Sequence, residues 1–441
     1  MSVQKTFVKY VSQNILGMIG ISLYILADTF FISLAQGANG ITALNLVLPV
    51  YNLIFAFGAM MGVGSAIRFK VLRARGEEKA DYYFSNAIFY ALIIGSIFMV
   101  FGGCFPQKVV QFLGGDAVIV AVGVPYTRIF MLFTPFFMWN HICNAFVRND
   151  GNPTIAMLAT LSSSLFNIVM DYVLMFPLGL GMVGAALATA VSPVVGILVC
   201  MIHFCSKKNT VKFVWRMPSI KRLIQACQLG VAAFIGEFSS GVTTIVFNML
   251  ILKLAGNVGV AAYGVIANTS LVAVAVFNGV SQGTQPIFSE HYGKGNAKEV
   301  KKVLRLGIGT ALALAIGILV LTHVFAAPIT GIFNQEGDAN MASYAIRGMK
   351  LYFIGFLFAG FNIVGTGYLS AVEEAKWAFV ASLLRGVAAI SVCAFLLSVL
   401  LGMTGIWLAF PAAEFLTAIV TGVAITKTKD KISGEKLEKR I

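Results

Sequence analysis

A chain of 441 residues that is 58% hydrophobic and only 11% charged, with a mean hydropathy of +0.86, excludes a soluble globular domain and reads as a polytopic membrane protein. The formal net charge of +14 raises the question of a nucleic-acid partner, which the placement of the charges answers below. Six cysteines are scattered without a C-x-x-C pair, so neither a disulfide framework nor a redox centre is implied.

Crossing the hydrocarbon layer takes about 20 mostly apolar residues per helix. Such runs fall at 11–34, 41–66, 84–104, 124–147, 154–176, 183–205, 223–253, 260–288, 306–327, 346–370, 377–400 and 404–426. The sequence therefore predicts an all-α membrane protein with twelve transmembrane helices. Lys5 and Lys9 precede the first run and no small-residue cleavage site follows, so the first helix is expected to stay as an uncleaved signal anchor. With the amino terminus inside, 26 of the 32 lysines and arginines fall on the cytoplasmic side. This asymmetry predicts a multi-pass protein of the cell membrane with both termini cytoplasmic. Basic loops thus report topology and attraction to membrane lipids, and nucleic acid is set aside as a partner.

A shift of 219 residues brings GANGITALNLVLP, from Gly37, over GNVGVAAYGVIAN, from Gly256. Gly37, Gly40, Gly64 and Gly76 then meet Gly256, Gly259, Gly283 and Gly295, and LGMVGAALA from Leu180 later falls on LGMTGIWLA from Leu401. The expectation is a duplicated unit: a six-helix amino-terminal lobe over 1–205, a basic linker over 206–222, a pseudo-symmetric six-helix carboxy-terminal lobe over 223–426 and a basic tail over 427–441. Transporters use such duplication for alternating access, whereas a receptor or membrane enzyme has no comparable need of it.

Within this apolar background four carboxylates stand inside predicted helices: Asp28, Asp171, Glu237 and Glu414. A carboxylate at mid-bilayer costs about 2.5–3.5 kcal/mol on insertion scales, so it faces a cavity or a partner. Asp28 shares a helical face with Asn14, Gly17 and Tyr24, and Asp171 shares one with Ser164 and Asn167. Counted from the outer helix ends, Asp28 lies about 9 Å deep, with Asp171 and Thr189 at nearly the same level. Two desolvated acids at one level are candidates to hold a proton or share a sodium ion, the alternative being hydrogen-bonded glue between helices. Glu237 begins a stripe continued by Ser240, Gly241, Thr244 and Asn248, and Asn278, Gln282 and Gln285 extend the polar character into the eighth helix. Tyr24, Asp28, Asp171, Glu237, Asn248 and Gln282 are accordingly the candidate substrate-binding residues. Glu414 can be approached by Arg385 of the eleventh helix, so a structural ion pair and a functional acid are equal readings.

Three motifs carry no chemistry. Gly179, Gly181 and Gly184 spell G-x-G-x-x-G but occupy a tight turn between apolar helices with no strand before them. Gly279, Ser281 and Gly283 spell G-x-S-x-G inside a membrane helix, where no strand-to-helix elbow can form. Cys200, His203 and Cys205 lie close in sequence without a fourth metal ligand. No catalytic residue, resident metal or cofactor is implied.

SLYILADTFFIS, RARGEEKADYYFSNA, FVRNDGNPTIAML and above all NIVMDYVLMFPLGLGMVGAALATA resemble the multidrug and toxic compound extrusion (MATE) family, in particular its bacterial multidrug exporters, over nearly the whole chain. The resemblance implies a monomeric antiporter that exports amphipathic organic cations in exchange for H+ or Na+. It places the cation-coupling site at Asp28, Asn167, Asp171 and Thr189, and it matches Glu237 to the acidic position of the seventh helix. Two departures stand out: KYVSQNILGM lacks the family's first-helix proline, and IGFLFAGFNIVGTGYLSA lacks the tenth-helix aspartate of some members. Coupling is therefore expected in the amino-terminal lobe. The rival within the same superfamily is a flippase or exporter of a lipid-linked or metabolite substrate, which calls for a cavity lined by arginines.

Overall fold

The computed structural model describes residues 2–334 and 337–433, and every regular element among them is a helix. Residues 434–441, the end of the predicted basic tail, lie outside the described residues. The first two spans are Val3–Gly37 and Asn39–Ala74; the third is Glu78–Cys104, the fifth Pro153–Met175 and the sixth Gly181–Phe204. The seventh and eighth are the two parts of Ile220–Gly293, divided at Gly256. Ala297–Val324, Ala339–Ala371, Ala375–Leu401 and Met403–Lys429 follow.

The fourth span, expected as one helix over 124–147, is a bent pair, Ala117–Leu132 and Thr134–Asn149, meeting at 49°. Pro135 in the first turn of the second piece explains the break, because its ring cannot continue the hydrogen-bond ladder of the piece before it. With this pair taken as one span and Ile220–Gly293 as two, the spans among the described residues number twelve.

The internal repeat is written in the backbone as well as in the sequence. Gly37 adopts φ 59°, ψ −150°, and Gly256, 219 positions later, adopts φ 62°, ψ −156°. This region is essentially restricted to glycine, so each glycine ends one span and redirects the chain into the next. Short helices that the apolar runs did not predict, Pro106–Phe112 and Ala326–Phe333, follow the third and ninth spans at matching places. The halves differ at the eleventh span, where Leu384–Ala388 forms a π-turn, while its counterpart Pro153–Met175 is regular α-helix.

The chain groups into two compact units, Ser12–Phe238 and Met1–Val11 with Ser239–Ile441. The boundaries of these units lie within the first and seventh helices. In the first unit, Phe146 packs against Phe84 and Phe69 with ring centroids 4.9 and 5.2 Å apart. In the second, Tyr352 stacks on Phe410 at 4.3 Å. Large apolar side chains such as Leu165, Leu198, Val399 and Leu400 are exposed, as sides that meet hydrocarbon must be.

Candidate functional site

The unit Ser12–Phe238 gathers the polar groups of its first, fifth and sixth spans at one place. On the fifth helix Ser164, Asn167 and Asp171 are all buried, at intervals of three and four residues that set them on one face. Asp28 of the first helix and Thr189 of the sixth are buried too. The Asp28 and Asp171 carboxyl groups lie next to each other. Two carboxylates have only acceptor atoms, so a proton or a cation is what such a pair would share.

Asn167 ties this pair to the sixth helix. With its amide turned so that nitrogen meets an acceptor and oxygen a donor, it donates to Asp171 Oδ2 at 3.2 Å and accepts from the Thr189 backbone N–H at 3.3 Å. Oδ1 of Asp28 and Oδ1 of Asp171 are buried with no hydrogen-bond donor against them. Each orphaned oxygen is a costly thing to bury, and together they fit a small cation or a proton: hard oxygen donors, negative charge and a neighbouring amide and hydroxyl oxygen.

Three tyrosines surround the acids. The Tyr24 and Tyr51 hydroxyls are 3.0 Å apart, and Tyr126 lies beside Thr189. Tyr51 stacks on Phe55 at 4.3 Å and lies 5.0 Å from Phe130, so its ring joins an aromatic wall while its hydroxyl faces the polar cluster. Tyr51 and Tyr126 were not singled out in the sequence. The available signal was a tyrosine inside each of the second and fourth predicted helices, a weak one because membrane tyrosines are commonly interfacial.

Of the remaining candidates, Glu237 is half-buried and within electrostatic range of the Tyr24 hydroxyl. Asn248 and Gln282 belong to the other unit, where both are half-buried. That unit also holds the Arg385–Glu414 ion pair, with Nε 2.6 Å from Oε1. Asn362 donates to Glu414 Oε2 at 2.7 Å and to the Glu414 carbonyl at 2.8 Å.

Two of the discounted motifs contribute packing contacts. Ser281 donates to the Ile363 carbonyl at 3.1 Å, and the His203 ring is held by Asp150 Oδ2 at 2.8 Å and by Asn152 at 3.2 Å.

The MatE family model matches residues 14–173 and 232–395 of this chain, one match in each half. The multidrug export protein MepA of Staphylococcus saprophyticus is 26% identical over 94% of this chain and 92% of its own length. The protein of the same name from Staphylococcus haemolyticus is 27% identical over 99% of this chain and 96% of its own length. Among solved structures, an outward-facing multidrug resistance MATE family transporter of the MOP superfamily superposes with a TM-score of 0.92 at 21% identity, covering 98% of this chain and 97% of that one. A MOP superfamily transporter from Pyrococcus furiosus, described for the reverse polarity of its binding pocket, superposes with a TM-score of 0.91 at 20% identity over the same shares. These likenesses establish an all-α fold of twelve transmembrane helices in two six-helix lobes. The chain belongs to the MatE family and is a membrane transporter rather than an enzyme.

Proposed function

We propose that the protein is a secondary active antiporter that exports amphipathic organic cations from the cell in exchange for H+ or Na+. The observation that carries this reading is the buried contact between Asp28 and Asp171, each with an orphaned carboxylate oxygen. Asn167 and Thr189 complete the coupling site, and Tyr24 with Glu237 extends its polar lining. An inward-moving ion neutralises the acids and lowers their affinity for a cationic drug, and drug arriving from the cytoplasm reverses the exchange. Coupling needs substrate and ion to bind the two transport states with different free energies, and competition for one acidic site supplies that difference. Multidrug export by the staphylococcal relatives supports the substrate class.

In this reading the protein is a monomer with both termini cytoplasmic. The lobes are 1–205 and 223–426, joined by the linker 206–222 and followed by the tail 427–441. Asn248 and Gln282 are the substrate-binding candidates of the carboxy-terminal lobe. The pairing of Arg385 with Glu414 at 2.6 Å counts against the flippase alternative, because it leaves that guanidinium with a partner inside the protein. Inverted vesicles given a proton gradient or a sodium gradient separately should accumulate an organic cation under one of them. Accumulation of an anionic lipid-linked sugar instead would overturn the proposal.

A further inference from the structure

The linker between the sixth and seventh spans carries a feature that ion-coupled transport does not use. Residues 209–219 are in neither helix nor strand, yet they are pinned along their length to the start of the third span and to Asp150. The Thr210 N–H donates to Asp150 Oδ2 at 2.8 Å, and Arg73 Nη2 donates to the Thr210 carbonyl at 2.6 Å. The Lys212 N–H donates to Asp81 Oδ1 at 3.0 Å and the Val214 N–H to Ser85 Oγ at 2.7 Å. Ser219 and Asn86 exchange a reciprocal pair, 2.7 Å from N–H to Oδ1 and 3.2 Å from Nδ2 to the carbonyl.

A strap tied down by its own amides presents chosen side chains. Phe213, Trp215 and Met217, at every second position, are 53%, 92% and 88% exposed, and the Phe213 and Trp215 rings lie 5.7 Å apart. Beside them the guanidinium groups of Arg216 and Arg222 lie 4.8 and 4.7 Å from the centroid of one ring, Tyr82. Neither arginine is in an ion pair among the described residues. The segment 206–222 has six lysines and arginines and no acid. Because the strap joins the ends of two spans, at Phe204 and Ile220, it sits at the boundary of hydrocarbon and water. Tryptophan and basic side chains are favoured there, the ring among the headgroups and the charge against phosphate.

We propose that this strap is a lipid-docking element. Trp215, Phe213 and Met217 insert among the headgroups of the bilayer that the protein spans, and Arg216 with Arg222 clamps the phosphate of an anionic phospholipid. Charge complementarity selects that occupant, because two guanidinium groups that share one ring and are in no ion pair among the described residues offer their charge to an anion. The inference rests on the membrane-spanning fold and is independent of what is transported and of which ion drives it.

The test uses the full-length protein reconstituted with brominated phosphatidylglycerol or brominated phosphatidylcholine in an otherwise unlabelled bilayer. The Trp215 signal is read as the difference between wild-type and W215F emission. Both brominated lipids should quench Trp215, phosphatidylglycerol at about fivefold lower mole fraction, the scale of one basic side chain at an anionic surface. In R216Q/R222Q the preference should fall to about one, while K298Q/K301Q, which removes equal charge from another basic segment, should keep it. A Trp215 signal that no brominated lipid dims would overturn the proposal. So would a preference that survives in R216Q/R222Q or disappears in K298Q/K301Q.

Discussion

Arg385 and Glu414 form a buried ion pair whose disruption should be costly. Glu414 is 2% exposed, and its carboxylate receives Arg385 Nε at 2.6 Å and Asn362 Nδ2 at 2.7 Å. Removing the guanidinium in Arg385→Met leaves a buried carboxylate with one neutral donor, and breaking a buried pair in this way costs about 3–5 kcal/mol. The lower end applies, because the Arg385 side chain is 20% exposed and Asn362 remains in place. Removing both charges in Arg385→Met with Glu414→Gln should recover most of that loss, since the amide put in place of the carboxylate would still meet Asn362 and strand no charge. Thermal unfolding of the purified protein in detergent is the assay. The single variant should unfold several degrees below wild type and the double variant close to it. Equal melting of Arg385→Met and wild type, or a double variant no better than the single, would refute the reasoning.

Other predictions follow from particular contacts. Replacing Gly37 by alanine forces an L side chain into φ 59°, ψ −150°, at a cost of about 1–3 kcal/mol, and Gly256→Ala should match it; equal melting points for variants and wild type would contradict this. Tyr51→Phe removes the 3.0 Å contact to the Tyr24 hydroxyl but keeps the ring, so drug uptake should fall by less than about tenfold, the range of one hydrogen bond. Tyr51→Ala, which also removes the stacking on Phe55, should lose more. Asp81→Ala takes acceptors from Arg73 and from the Lys212 N–H, and limited trypsin treatment should then cut the linker at Lys212 or Arg216 sooner than in wild type.

Much of the architecture was legible because the membrane imposes a coarse code. Apolar runs mark spans, and an acid inside one marks a place that cannot face lipid. Depth and helical face alone grouped Asp28, Asp171 and Thr189, and the structure gathers them with Asn167 in one cluster. The glycines aligned by the 219-residue shift include the two that turn the chain at Gly37 and Gly256. What stayed hidden depends on partners from distant segments. Nothing near Tyr51 in the sequence indicates that its hydroxyl meets Tyr24 rather than water. The fourth helix read as one run because apolar content does not register the bend before Pro135. The linker read only as basic, since its order comes from Asp81, Ser85, Asn86 and Asp150, far away in the chain.

Whether Asp28 and Asp171 form the coupling site can be read from uptake of ethidium into inverted vesicles, wild type against Asp28→Asn, with proton and sodium gradients imposed separately. Wild type should show gradient-driven uptake under one of the two ions, and Asp28→Asn should lose it at equal protein level. Equal uptake by both proteins would contradict that assignment and make the contact between Asp28 and Asp171 a structural bond between the first and fifth helices.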